Sequence, residues 1–265
     1  MSAAADGPIG VFDSGVGGLS ILKALRAQLP HEQFVYLADA AHAPYGERGD
    51  PHVIERSRAV VAQLREEHAI KALVIACNTA TAAAIHLLRT EHPGLPVVGV
   101  EPALKTAIAL SKTRRIGVVA TRGTLASAKF RLLHDALKDQ AEFLLQPCDG
   151  LADAIENAEA ARIAALCSEY TARIGRFGDQ AGLVDTLVLG CTHYAFAQDE
   201  FAAAACTDVR LVETGAPVAR QTRRLLEAAR QLAQGGSGGV RLLSTGALPH
   251  LQAAAQRWLG LQSLD

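Results

Sequence analysis

Two cysteines stand at junctions between strand-like and helical stretches. Cys77 follows ALVIA and precedes Asn78, Thr79 and an alanine-rich helical pattern; Cys191 follows TLVLG and precedes Thr192 and His193. At the carboxyl end of a parallel strand, helix N-termini point unpaired amides toward the place where ligands collect. The positive end of a helix lowers a thiol below its free pKa of ~8.5 and makes the sulfur a base or a nucleophile. One such cysteine alone is more often an inert core thiol. Two in matching contexts point to chemistry at the pair. Asn78 and Thr79 are cap residues that are also suited to gripping a carboxylate. His193 is suited to assisting proton movement at Cys191 or to holding a substrate anion.

Other segments offer polar groups at strand ends. DSGVGG, residues 13–18, has Ser20 where the dinucleotide fingerprint needs its third glycine, and it lacks the Lys-Ser/Thr of a P-loop. Asp13 would repel a phosphate; it reads better as a partner for a substrate ammonium or as an aid to a thiol, with Ser14 a hydrogen-bonding neighbour. In APYGERGD, Pro44 and Gly46 flank Tyr45 in a turn that can present amides and a hydroxyl. Thr121 and Thr124 follow IGVVA as second-half counterparts of the first loop, where helix capping is an equally good reading.

The elements needed to position these residues are readable. Strand-like runs at 9–12, 34–38, 72–76, 96–100, 116–120, 142–146, 186–190, 209–212 and 240–243 alternate with amphipathic stretches, among them 19–29, 51–68, 80–92, 125–137 and 215–234. That alternation predicts an α/β fold of parallel strands joined by crossover helices. GGSGG at 235–239 reads as a connector before the last strand. IGVFDSGVGG is echoed by IGVVATRGT, and VIACNTATA by VLGCTHYAF, in the same order. Two similar units would each contribute one strand-end thiol, and the two thiols would face each other across a cleft between domains.

Composition narrows the classes of function. The 265 residues carry 26 basic and 27 acidic side chains and are 49% hydrophobic, with no long run of one charge. Nothing there suits a nucleic-acid backbone. No apolar run reaches the ~18 residues that span a bilayer, and MSAAADGPIG lacks a basic stretch followed by an apolar one, so a cytoplasmic protein is expected. The five cysteines (77, 148, 167, 191 and 206) are odd in number and include no C-x-x-C pair, which suggests neither a disulfide framework nor a zinc site.

DSGVGG, PYGER, ACNTATA and GCTHY, in this order and at these intervals, resemble the glutamate racemases, and the likeness runs from Ile9 to Gly260 through a closing STG…LG pattern. The resemblance implies two similar α/β domains, each a mainly parallel sheet flanked by helices, with the active site in the interdomain cleft. It implies a first domain of residues 1–99 and 210–265 and a second of 100–209. It also implies cofactor-independent interconversion of L- and D-glutamate, with Cys77 and Cys191 as base and acid on opposite faces of the α-carbon, and supply of D-glutamate for bacterial peptidoglycan. Asp13 and His193 would assist the thiols. Asp13, Ser14, Tyr45, Gly46, Asn78, Thr79, Thr192 and His193 would bind substrate, with Glu156 and Thr121 auxiliary and no metal. The chain departs from the family pattern at Ala40, His42, Asp149, Ala154 and Ala195.

Three other readings make different demands. A pyridoxal-phosphate racemase needs a Schiff-base lysine, and no lysine lies in a strand-end polar motif. A cysteine hydrolase using Cys191 and His193 needs one essential thiol, whereas a two-base racemase needs both. A non-catalytic sensor would bind glutamate without exchanging its α-proton. Homodimer formation stays open, because an alanine-rich surface pattern does not reveal which faces pair.

Overall fold

Runs of β-branched and aliphatic residues that are buried on both faces belong in parallel sheets covered by helices. β1 (Ile9–Asp13) and β3 (Ala72–Ile75) are buried at every position. In the computed structural model, which describes residues 7–205 and 208–261, the strands form two parallel sheets. The chain divides into two compact units: one takes the chain up to Val100 and again from Gly215, and the other takes Glu101–Thr214. Cys206 lies outside the described residues.

The first unit runs β1, α1 (Leu19–Gln28), β2 (Gln33–Ala38), α2 (Asp50–His68), β3, α3 (Asn78–Glu91) and β4 (Val97–Gly99). The second runs α4 (Leu104–Leu110), β5 (Arg115–Ala120), α5 (Arg122–Ala126), α6 (Ala128–Asp135), β6 (Glu142–Pro147), α7 (Leu151–Glu156), α8 (Ala160–Ile174), β7 (Thr186–Leu189), α9 (Gln198–Ala205) and β8 (Arg210–Val212). The chain then re-enters the first unit with α10 (Gly215–Ala228), β9 (Gly239–Ser244) and α11 (Leu248–Leu259).

Strand order is β4-β3-β1-β2-β9 in one sheet and β6-β5-β7-β8 in the other. Apart from β9, the two sheets share one connectivity, since β8-β7-β5-β6 repeats β4-β3-β1-β2. The register repeats too. Phe12 pairs with Ile75 and Val119 with Leu189, while the amides of Ala76 and Gly190 each donate to the carbonyls of Phe12 and Val119 at 2.7 Å. The echo in the sequence is therefore a topological repeat.

Three features differ from the sequence expectations. The stretch 125–137 is two helices: Ser127 is extended, and its hydroxyl accepts from Phe130 N at 3.0 Å to start α6. α10 stops at Ala228, six residues early, followed by a left-handed Arg230 whose backbone cannot continue a helix. Arg210–Val212, expected with the first domain, pairs with β7 as β8, so the return to the first unit comes at Gly215.

Hydrophobic packing alternates along the strands. In the first unit Leu73, Ile75 and Cys77 share one face and pack with Phe12, Val35, Leu37 and residues of α2 and α3. In the second, Leu187, Leu189 and Cys191 do the same with Val119 and residues of α7 and α8. Both cysteines thus continue a buried row of side chains to the carboxyl end of the sheet. No helix among the described residues is long and apolar enough to cross a membrane.

Candidate active site

In the first unit the chain leaves β3 and turns directly into α3, with Cys77 as the N-cap. The thiol accepts from Ala80 N at 3.4 Å, so an orphan amide of the helix end is aimed at sulfur. Ser14 Oγ lies 3.8 Å from Cys77 Sγ. Asp13, fully buried at the end of β1, accepts from the amides of Ser14 at 2.8 Å and of Gly18. Gly18 has ordinary helical torsions, so its role is one of space. A Cβ there would meet Asp13 Cβ at 2.7 Å, Tyr36 Oη at 2.8 Å and Ala76 Cβ at 2.9 Å.

Asn78 and Thr79 are buried in the first turn of α3. Both polar atoms of the Asn78 amide are buried without a hydrogen-bond partner in the protein. Such a group costs about 1–3 kcal/mol for each unmade bond. It persists in native proteins chiefly where a ligand or water supplies the partner.

Tyr45 opens a single 3-10 turn, Tyr45–Glu47, with Gly46 half-buried beside it. The Tyr45 ring packs in the same core cluster as Cys77. Its hydroxyl donates to Asp39 Oδ2 at 2.6 Å. Burial, and then Asp39, push the phenol above its ordinary pKa, so it keeps its proton.

In the second unit Cys191 precedes a 3-10 helix, Thr192–Ala197. Here no helix amide caps the thiol. His193 Nδ1 faces Cys191 Sγ at 3.8 Å, and His193 Nε2 lies 2.7 Å from Glu156 Oε2 at the end of α7. Burial by itself would lower the imidazole, but the contacts with Cys191 and Glu156 outweigh it and hold His193 well above its usual value. As an imidazolium the ring carries protons on both nitrogens, one directed to each neighbour. Thr192 is buried beside the thiol.

Thr121 holds the register position of Ser14, two residues past Val119 as Ser14 is past Phe12. Its hydroxyl is committed to capping: it accepts from Thr124 N at 3.2 Å and donates to Thr124 Oγ1 at 2.9 Å. Of the remaining described thiols, Cys148 and Cys167 are buried in the core next to Cys191. Burial pushes both upward, Cys167 to about 12. No cluster of three or more His, Cys, Asp or Glu among the described residues is arranged to hold a metal ion.

The chain as a whole matches one known group of enzymes. A family model described as Asp/Glu/Hydantoin racemase matches residues 18–222. The chain belongs to this racemase family. Among its family relatives, the glutamate racemase of Pseudomonas paraeruginosa is 45% identical over 249 residues, covering 93% of this chain and 91% of that one. A glutamate racemase isoform of Bacillus anthracis superposes with a TM-score of 0.85 at 31% identity, covering 97% of this chain and 95% of that one. The Francisella tularensis glutamate racemase, solved in complex with D-glutamate, superposes with a TM-score of 0.82 at 26% identity, covering 98% and 96%.

Within this racemase fold, the first unit gathers Asp13, Ser14, Tyr45, Cys77, Asn78 and Thr79 at the carboxyl ends of β1–β3, and the second gathers Cys191, Thr192, His193 and Glu156. Two residues joined to the first cluster through Tyr45 were not singled out in the sequence. Asp39 stands at the end of β2, and Arg56 of α2 holds its carboxylate through Nε and Nη2, both at 3.0 Å. The readable signal was the acid directly after FVYLA, in the same strand-end setting as Asp13.

Proposed function

We propose that this protein interconverts L- and D-glutamate without a cofactor, using Cys77 and Cys191 as the two proton-transfer groups. One thiol is contributed by each unit, and the two act on opposite faces of the substrate α-carbon. In one direction a thiolate removes the α-proton, the electron pair is held as a planar carbanion, and the thiol on the other face delivers its own proton. The roles exchange in the reverse direction. Proton count is conserved over the cycle: the base leaves as thiol and the acid as thiolate.

The observation that carries this reading is the equivalence of the two cysteines. Each lies two residues beyond a matched register pair, Phe12 with Ile75 and Val119 with Leu189, in sheets of the same connectivity. Their local partners differ: Ala80 N and Ser14 around Cys77, His193 backed by Glu156 around Cys191. A carbon acid as weak as an amino-acid α-proton needs a base and an acid placed in advance. Asn78 would meet the substrate with the two polar atoms that lack partners, with Thr79, Thr192, Ser14, Asp13 and the Tyr45–Gly46 turn completing the grip. In this reading the enzyme works in the cytoplasm, and its D-glutamate enters bacterial peptidoglycan.

Incubation with each glutamate enantiomer in D2O tests the proposal. Racemisation predicts α-deuterium in the product and decay of optical activity to zero from either side. Binding without α-deuteration would instead identify a sensor, and a cysteine acyl-enzyme would identify a hydrolase.

A further inference from the structure

Asp39 is fully buried, yet its carboxylate is the meeting point of three separate pieces of chain. Tyr45 Oη donates to Oδ2 at 2.6 Å, Arg56 of α2 clasps both oxygens, and Thr245, just past β9, donates to Oδ1 at 2.9 Å. His42 Nδ1 stands 3.1 Å from Oδ1. Thr245 also reaches the loop directly: its hydroxyl accepts from Ala41 N at 3.2 Å, and its own amide donates to Ala38 O at 3.0 Å. Asp39 N in turn donates to Asp13 O at 2.9 Å. A charge this deep is tolerated only when it is paired and fully hydrogen-bonded. Arg56 supplies the charge, and the remaining donors all come from, or pin down, the segment 40–47.

We propose that Asp39 is a positioning residue for the substrate loop: through Tyr45, Thr245 and Arg56 it fixes the Tyr45–Gly46 turn against the end of β1. The hydroxyl of Tyr45 has one proton, and that proton goes to Asp39. Tyr45 therefore does not donate its hydroxyl to substrate, and the turn binds through its backbone amides. The segment after β9 becomes a working part of the site, because Thr245 closes the network from a residue about two hundred positions away in the chain. This inference rests on the reading of Tyr45 and Gly46 as substrate-binding.

A mutant cycle tests it, with glutamate affinity measured by calorimetry alongside racemisation kinetics. Asp39→Asn and Tyr45→Phe should each weaken glutamate binding and raise KM more than they lower kcat, with losses in kcat/KM of up to about 100-fold when the turn is displaced. The double variant should be no worse than Asp39→Asn alone, since both changes act through one contact. Thr245→Val should weaken binding in the same way, and Thr245→Ser, which keeps the donor, should recover most of the loss. Multiplied losses in the double variant would overturn the proposal by showing that the Tyr45 hydroxyl acts on substrate independently. If Asp39→Asn does not fold, the cycle of Tyr45→Phe with Thr245→Val asks the same question. A wild type that binds glutamate without racemising it would defeat the proposed reaction and leave the cycle in affinity intact; a wild type that does not bind glutamate would defeat both.

Discussion

Glu156 Oε2 lies 2.7 Å from Nε2 of His193, and the other ring nitrogen faces Cys191 at 3.8 Å. The imidazole is thereby held in one orientation by a carboxylate on the side away from the thiol. His193 is raised in the folded protein above the ~6.5 of an unfolded histidine. Its stabilising contribution is therefore complete below about pH 6.5 and is lost as pH climbs through the raised value. Glu156→Gln removes one of the contacts that raise His193, so the loss, which starts near the unfolded value in both proteins, should be smaller and finish at lower pH than in the wild type. Denaturant unfolding midpoints across neutral to alkaline pH measure this, and superimposable profiles would contradict it.

Removing either active thiol should be equally damaging. Cys77→Ala and Cys191→Ala are each expected to lower kcat/KM by about 10²- to 10⁴-fold, the usual contribution of an acid or base in position. Cys148→Ala and Cys167→Ala serve as controls. Burial keeps both thiols protonated, and neither is assigned a part in proton transfer, so racemisation should continue in both. Full activity in either Cys77→Ala or Cys191→Ala would sink the two-base mechanism.

Space at Gly18 should prove as important as charge at Asp13. A methyl group there collides with Asp13 and Ala76, both part of the sheet end that carries the site. Gly18→Ala is expected to cost about 1–3 kcal/mol as an overpacking change, together with a fall in kcat/KM. Gly94→Ala, where nothing lies within 4 Å, should stay within about 0.5 kcal/mol. Thermal and urea unfolding of the two variants side by side give the comparison.

At the opposite end of the first sheet, Lys71 Nζ lies 2.7 Å from Glu32 Oε2, with both side chains almost wholly buried. Lys71 also donates to Gln231 O at 2.8 Å, and Glu32 Oε1 accepts from Ala233 N at 2.8 Å. The pair thus anchors the segment leading from α10 into β9. Glu32→Gln breaks this buried ion pair and should destabilise by about 3–5 kcal/mol. Urea unfolding with an unchanged m-value would establish the loss as one of stability; a change under 1 kcal/mol would show that the carboxylate is dispensable.

Much of this fold is written locally. The nine strands among the described residues fall where short aliphatic runs announced them, and β3, buried at every position, is apolar along its whole length because both its faces are covered. Helices were less legible. α8 carries its buried residues at Ile163, Cys167, Tyr170, Thr171 and Ile174, a stripe diluted by alanine, which packs equally well inside and out. The two-helix form of 125–137 depended on Ser127, whose hydroxyl either decorates a helix or starts a new one.

The site divides in the same way. The thiols and their neighbours Asn78, Thr79, Thr192 and His193 were visible because strand-end placement and residue type are local properties, and a sequence that encodes a strand followed at once by a cap encodes where that cap points. Partners from distant elements were not visible in that way. The 2.7 Å contact of Glu156 with His193, the placement of Ser14 beside Cys77, and the joining of Tyr45, Arg56 and Thr245 at Asp39 all require separate strands and helices to be brought into register. Sequence alone placed the proposed proton-transfer groups at strand ends and marked the sheets that hold them. Tertiary structure decided which side chains hold those groups still, because hydrogen bonds a few ångströms long join residues tens to hundreds of positions apart.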